Sequence, residues 1–267
     1  MNKLPDFASP VPFVLLTIIL FLIIITRYFT VAGLFQLFFY KWFKSNWADK
    51  KLSSATVSKK QFYSELRWSL STSLIFSIIS GLTIILWQQG YTKVYTNIAD
   101  YGFVYLPISL AGSLLIHETY YYCLHRWMHR PAVFKLVHKA HHQSKTTSAW
   151  TAFSFHPIEG FLQAIILPVT ILLLPLHIYV ILFQLTIMTF SSVINHLEIE
   201  VYPAWFQKTF FGKWVIGASH HSLHHKQSKY NFGLYFTFWD KWIKTESPTF
   251  TSLRNKPTVE TSKIPKA

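Results

Sequence analysis

Histidines dominate the chemistry that this sequence could support. There are thirteen, most of them in four short clusters between residues 125 and 225. His125 and His129 stand four apart in HRWMH, and HKAHH holds His138, His141 and His142. His196 follows Asn195 in NHLEIE, and SHHSLHH holds His220, His221, His224 and His225. Spacing of i and i+4 puts two rings on one helical face, one turn apart, which suits two ligands of a single ion. The form HxxHH puts three rings on one side, at i, i+3 and i+4. A catalytic ion uses about four to six ligands and keeps a position open, so eight to ten rings fit two ions rather than one. Imidazole suits Fe, Zn or Cu. A lone HxxxH occurs by chance; two HxxHH, an HxxxH and an Asn-His together carry the assignment. Arg and Lys interleave the clusters, and their charge opposes protonation of rings that must be neutral to bind metal. The single cysteine, Cys123, offers neither a thiolate cluster nor an internal disulfide.

These clusters need elements to position them, and composition says what kind. The chain is 51% hydrophobic and 13% charged, against roughly 25% charged in an ordinary soluble domain. We expect an all-α integral membrane protein of about four transmembrane helices, with a His-rich, di-metal helical cap on the cytosolic face. The first span covers about residues 11–30, with an aromatic extension to 43 and no small-residue cleavage site after it, so a retained anchor is expected. The second covers 68–87 with Trp at each end, and the third 103–123. The apolar stretch 160–194 is interrupted by Pro168 and Pro175, and reads as a helical hairpin turning near Pro175.

Seven Lys or Arg lie in 41–67 and one, Lys93, in 88–102. The positive-inside rule then sets the N-terminus outside and the histidine clusters inside. The net charge of +14 follows from the same rule and adds attraction to anionic lipid or an acidic redox partner. No basic patch within a soluble fold suggests nucleic acid. The expected organisation is an anchor region over 1–102, a catalytic region over 103–247 and a flexible basic tail over 248–267.

Other polar residues are open to two readings. His117 lies eight residues before His125, about 12 Å of helical rise, too far to share its ion. It either faces substrate and supports the site, or is a buried ring bonded to the helix or a Tyr. Glu118 either orients a ligand ring or pairs with Arg126. His156 in HPIE either structures the start of a helix, with Pro157 in the first turn and Glu159 near its positive end, or binds metal. His177, near the hairpin turn, falls on the far side from the clusters. Asp240 pairs with a Lys or orients a ligand. The aromatic, basic segment 202–217 either lines substrate access or anchors at the interface.

In order along the chain, HETYYYCLHRWMHRPAVFKLVHKAHHQS, SFHPIEG, NHLEIE, SHHSLHHKQSKYNFG and FWDKWIKT resemble the fatty acid hydroxylase / sterol desaturase superfamily of membrane-bound non-haem di-iron enzymes. The resemblance covers about residues 109–245. The run HETYYYCLHRWMH is similar to the sterol C5-desaturase branch, which has Asp where Glu118 stands. WDKWIKT departs from the usual WDxxFGT: Ile243 and Lys244 replace Phe-Gly, which puts the contacts of that turn in question. The resemblance implies His125, His129, His138, His141, His142, His196, His221, His224 and His225 as ligands of two Fe ions. His220, next to His221, is placed behind the ligands or as a substituted one. Glu200, four after His196, binds metal directly or through water, or faces solvent.

The implied reaction is O2-dependent desaturation of a sterol or related membrane lipid by C–H abstraction. The alternative on the same site is a fatty acid or lipid hydroxylase, or an ether-lipid monooxygenase. There is no GxGxxG loop and no fused haem domain, so the electron donor is external, a cytochrome b5-like protein or a ferredoxin with its reductase. The location implied is the endoplasmic reticulum in a eukaryote, or the inner membrane in a bacterium.

Overall fold

The computed structural model describes residues 5–250. Helix α1, Pro10–Leu37, starts with Pro at its first turn and runs into a π-helical turn, Phe38–Trp42. Ser58 caps α2, Lys59–Gln88, by accepting from the Gln61 N–H. After β1, Val94–Tyr95, comes α3, Tyr105–Met128. Next is a bent segment: α4, Pro131–Val133, a π turn, Phe134–His138, and α5, Lys139–His142. The hairpin is α6, Pro157–Ala164, α7, Ile166–Leu173, β2, Leu176–His177, and α8, Ile178–Asn195. Short α9, Ala204–Gln207, precedes α10, Ala218–Gln227, and α11, Phe238–Trp242.

Three helical segments are long and apolar enough to cross a membrane: Pro10–Trp42, Lys59–Gln88 and Ile178–Asn195. The outer faces bear this out. Val14, Leu15, Ile18, Ile19 and Leu22 of α1 are each half or more exposed, an apolar surface that water would not tolerate. On α2 the arrangement is inverted. Ser69, Ser73, Ser77 and Gly81, four apart, face inward and are buried, while Leu70, Leu74, Ile78 and Leu82 point out. Small residues let membrane helices approach closely. A Cβ on Gly81 would come within 3.1 Å of the Phe13 ring. The third expected span, α3, has 24 residues but is not among the three apolar segments. His117, Glu118, Thr119, His125 and Arg126 make its second half polar.

All long helices run between the same two ends. At one end β1 pairs in parallel with β2, and the His177 ring contacts the Thr96 carbonyl. The hairpin turn thus sits on the 88–102 connection, and Gln88 bonds the start of the chain at Pro5 and Phe7. At the other end lie the histidine clusters and the basic 41–67 segment, which bridges Lys51 to Ile199. One apolar core joins α1 (Ile24, Tyr28, Val31, Ala32) to Ala149, Ala152, Phe153, Val193 and Leu197. It crosses the residue 102/103 boundary, so α1 is packed on the histidine-bearing half rather than tethered to it.

Glu65 of α2 is buried at this end. It accepts from Gln61, Ser144, Ser148 and Thr151 at 2.6–3.1 Å, tying the loop after α5 to the bundle. Of the tail expected from 248, residues 248–250 are helical, and Phe250 is buried against the His220 ring. Residues 251–267 lie outside the described ones.

Candidate metal centre

The nine rings implied as ligands converge from five elements. The end of α3 supplies His125, with His129 at its C-cap. The π turn supplies His138, a widening often found at functional sites, and α5 supplies His141 and His142. His196 caps α8, and α10 supplies His221, His224 and His225. They form two groups, in each of which one ligand atom per residue lies within 4.8 Å of all the others. The first is His125, His129, His138, His142 and His224; the second is His141, His196, His221 and His225.

Each HxxHH is therefore divided. Its i and i+4 rings go to one group and its i+3 ring to the other, in opposite senses in the two motifs. Spacing alone puts all three rings on one side.

Whether these residues fit metal is decided by what the outer nitrogens do. His141 Nδ1–H donates to the Ser154 carbonyl and His196 Nδ1–H to the Ser192 carbonyl, at 3.1 and 2.7 Å. A carbonyl can only accept, so both Nε2 atoms carry bare lone pairs. Those two atoms face each other at 3.2 Å. The first group repeats this. His125 Nδ1–H donates to the Phe232 carbonyl and His138 Nδ1–H to the Glu159 carboxylate, and their Nε2 atoms stand 3.1 Å apart. Facing lone pairs repel unless a cation lies between them. Two nitrogens about 2.1 Å from one ion, at a right angle, would be about 3.0 Å apart. His129 Nε2, His142 Nδ1, His221 Nδ1 and both nitrogens of His225 are buried without a partner. Such orphans are costly in a finished core and are what ligands need.

Burial holds the rings of His138, His141, His142, His221, His224 and His225 well below the usual imidazole range, with neighbouring imidazoles adding to it. The sequence assigns this effect to the interleaved Arg and Lys. The structure assigns it to desolvation, since the rings are inside and the cations face out. For His196 burial lowers the pKa from 6.5 to about 4. Between these values the unfolded chain binds a proton that the folded chain refuses, so stability rises with pH across that window. Through His196 the metal-free protein should lose stability progressively as pH falls from 6.5 to about 4. Scanning fluorimetry from pH 8 to 4 checks this; a flat profile would contradict it.

Supporting residues cluster on the loop 231–236. Asp240 accepts from the Phe232 and Gly233 N–H groups at 2.9 Å and from the Thr245 hydroxyl at 2.7 Å. It orients His125 through the Phe232 carbonyl, rather than by pairing with a Lys or touching one of the nine grouped rings. Glu118 neither orients a ring nor takes Arg126: it accepts from the Leu234, Tyr235 and Phe236 N–H groups. Asn195 donates to the Leu234 carbonyl. His117 contacts the Tyr235 hydroxyl at 3.0 Å, away from both groups.

Glu200 joins neither group. Its carboxylate accepts from the Tyr202 and Ser219 N–H groups, the latter at the positive start of α10. A Cβ on Gly217 would lie 2.8 Å from it. His220 points the other way from its neighbours, with Nε2 3.8 Å from Asp240. His156 caps α6 by accepting from the Ile158 N–H, with Pro157 in the first turn.

Three residues carry more than sequence reasoning assigns them. Glu159 reads in sequence as a helix-start charge, yet it is fully buried against His138 at 2.8 Å. Glu198, buried at φ 56, accepts from Ser222 of α10 at 2.7 Å. Glu65 is the third. The HPIE motif held the signal for Glu159: three residues after the capping His, it falls on the inward face of α6.

The departing turn closes without Phe-Gly. Thr245 N–H donates to the Asp240 carbonyl and its hydroxyl reaches Tyr122. Lys244 stands at φ 58, a left-handed conformation that costs a non-glycine residue about 1–2 kcal/mol. Lys244→Gly should therefore stabilise the protein by about 1 kcal/mol, read as a rise of about 2–4 °C in Tm. An unchanged or lower Tm would count against strain there.

The class is that of a mostly helical protein with three helices long and apolar enough to cross a membrane and two buried groups of histidines that could each hold a metal ion. Residues 110–245 match the fatty acid hydroxylase family, and the chain belongs to that family. It is similar to lathosterol oxidase of Homo sapiens, 30% identical over 68% of this chain and 60% of that protein. It is also similar to the Delta(7)-sterol 5(6)-desaturases of Saccharomyces cerevisiae (29% identical; 68% of this chain, 48% of that protein) and Candida albicans (28%; 80% and 52%). The chain thus spans about half to three fifths of the length of these relatives. No solved structure matches it.

Proposed function

We propose that this chain is a membrane-embedded di-iron oxidoreductase that introduces a double bond into a sterol or related lipid, using O2. The observation that carries it is the pair of facing Nε2 lone pairs in each histidine group, in a chain whose matched relatives are named as sterol desaturases and lathosterol oxidase. His125, His129, His138, His142 and His224 would hold one iron, and His141, His196, His221 and His225 the other. When bound, two irons supply the oxidising power that removes hydrogen from an unactivated C–H bond.

The chain's residues supply the rest. Carbonyls of Ser154, Ser192, Tyr230 and Phe232, with the Glu159 carboxylate, fix the Nδ1 protons outward and keep every Nε2 so paired available inward. Burial keeps the rings neutral. The lipid lies in the bilayer around α1, α2 and α8, and the groups sit where those helices end. The coincidence of the basic 41–67 segment with the histidine end supports a cytosolic face for the site and about four membrane passes, with α3 and the hairpin added to α1 and α2. That face would be the endoplasmic reticulum surface in a eukaryote or the inner membrane in a bacterium. The exposed rings of Trp205, Phe210 and Phe211 suit the interface beside it.

The test is the sterol profile of cells with and without the gene, by gas chromatography and mass spectrometry. A new ring double bond is expected. A new hydroxyl on an acyl chain, with sterols unchanged, would overturn desaturation in favour of hydroxylation.

A further inference from the structure

We propose that a basic groove at the histidine end is the docking site of an acidic one-electron donor protein, whose electrons enter through His142 and His225. This rests on the oxygen-dependent reading above. Reducing O2 to two waters takes four electrons and four protons. Forming one C=C double bond from two C–H bonds supplies two of each. The other two electrons must come from a donor, and the other two protons from solvent.

The groove, of about 1040 Å³, lies between residues 52–54, the Phe134–His138 turn, α5 and α10. Lys139, Lys145 and Lys226 line it, and no Asp or Glu is among its described lining residues. Lys139 and Lys145 are exposed. Lys226 has one acid near it, the buried Glu198 at 3.7 Å, so the outward field of the rim is positive.

The floor is what sets this groove apart. Of the nine grouped rings, only His142 and His225 line it. They stack with centroids 4.6 Å apart and planes at 26°. His142 belongs to the group of five and His225 to the group of four. One groove therefore reaches both groups through adjacent imidazoles, which is the short path that one-electron transfer demands. A rim of one sign steers an oppositely charged protein into register. Electron-transfer encounters are small and weak, which suits a groove rather than a broad face. An anionic lipid headgroup would account for the lysines but not for the paired rings beneath them.

The experiment uses the full chain in neutral-lipid nanodiscs and the soluble, acidic haem domain of a b5-type cytochrome. Its binding is measured by titration at low and moderate salt for the parent and for the triple variant Lys139→Gln, Lys145→Gln, Lys226→Gln. The variant should bind about tenfold more weakly and with a shallower salt dependence. Its metal content should match the parent, and so should its single turnover when O2 is admitted after anaerobic reduction with dithionite and removal of the excess. Lys208→Gln with Lys213→Gln, on the aromatic segment, should leave donor binding unchanged. Equal affinity in the parent and the triple variant would overturn the proposal. So would a variant that loses only its association with phosphatidylserine discs. Absence of lipid oxidation when O2 is admitted to the pre-reduced parent would instead sink the oxygen-dependent reading, and the binding comparison would still report on the groove.

Discussion

His141→Ala will abolish lipid oxidation and remove about one metal ion per chain, whereas His224→Ala will abolish oxidation while keeping more of its metal. The difference follows from how the rings are shared. His141 belongs to the group of four, and its loss leaves His196, His221 and His225; His224 belongs to the group of five, and four remain. His141 Nε2 also faces His196 Nε2 at 3.2 Å, so truncation opens a close-packed edge of that group. Both losses should exceed the 10- to 100-fold expected for removing a supporting partner alone. Membrane insertion should be intact in both, since the apolar helices α1, α2 and α8 are untouched. Activity assays with metal quantification on purified variants check this. Equal metal loss in the two variants would contradict the five-and-four division.

Glu159→Gln should lower metal affinity by about 10- to 100-fold while leaving the fold in place. The carboxylate accepts from His138 Nδ1 at 2.8 Å and from Gln163 at 3.1 Å, and its other oxygen has no partner. A glutamine fills the same space, so packing on α6 survives. Its amide can present N–H to His138 Nδ1, where the carboxyl oxygen accepts from that nitrogen. His138 then loses both basicity and a fixed tautomer. Chelator competition measures the affinity, and thermal melting of the metal-free protein reports the fold. Unchanged affinity would mean that Glu159 serves packing only.

Much of the site is legible in the sequence, because imidazole is a rare and purposeful residue. The nine positions that carry the resemblance are the nine rings the fold gathers. Their partition is not legible. An ideal helix puts i, i+3 and i+4 on one side, yet in both motifs the i and i+4 rings share one group and the i+3 ring joins the other, in α10 without any π turn. Rings from facing elements then complete each of the two groups. The acids are harder still. Glu65, Glu118, Glu159, Glu198 and Asp240 look like ordinary polar punctuation in sequence, yet all five are buried. Each anchors a partner distant in sequence or on another element, such as the Leu234 and Tyr235 N–H groups for Glu118, and no local pattern encodes such pairs. Glu200 shows the converse: its spacing from His196 assumes a helix, but the chain leaves α8 at Asn195 and turns at Glu198, which sends the carboxylate to α10. The apolar helices are clear from hydropathy. In α3 the line between span and site blurs, because one helix does both.

Metal analysis of the purified, full-length chain tests the central claim most directly. Two histidine groups predict about two transition-metal ions per chain, iron when expressed with adequate supply, detected by plasma mass spectrometry and by the spectroscopic signature of a coupled pair. A chain that is folded and intact yet binds one ion, or none, after reconstitution with ferrous iron would contradict it.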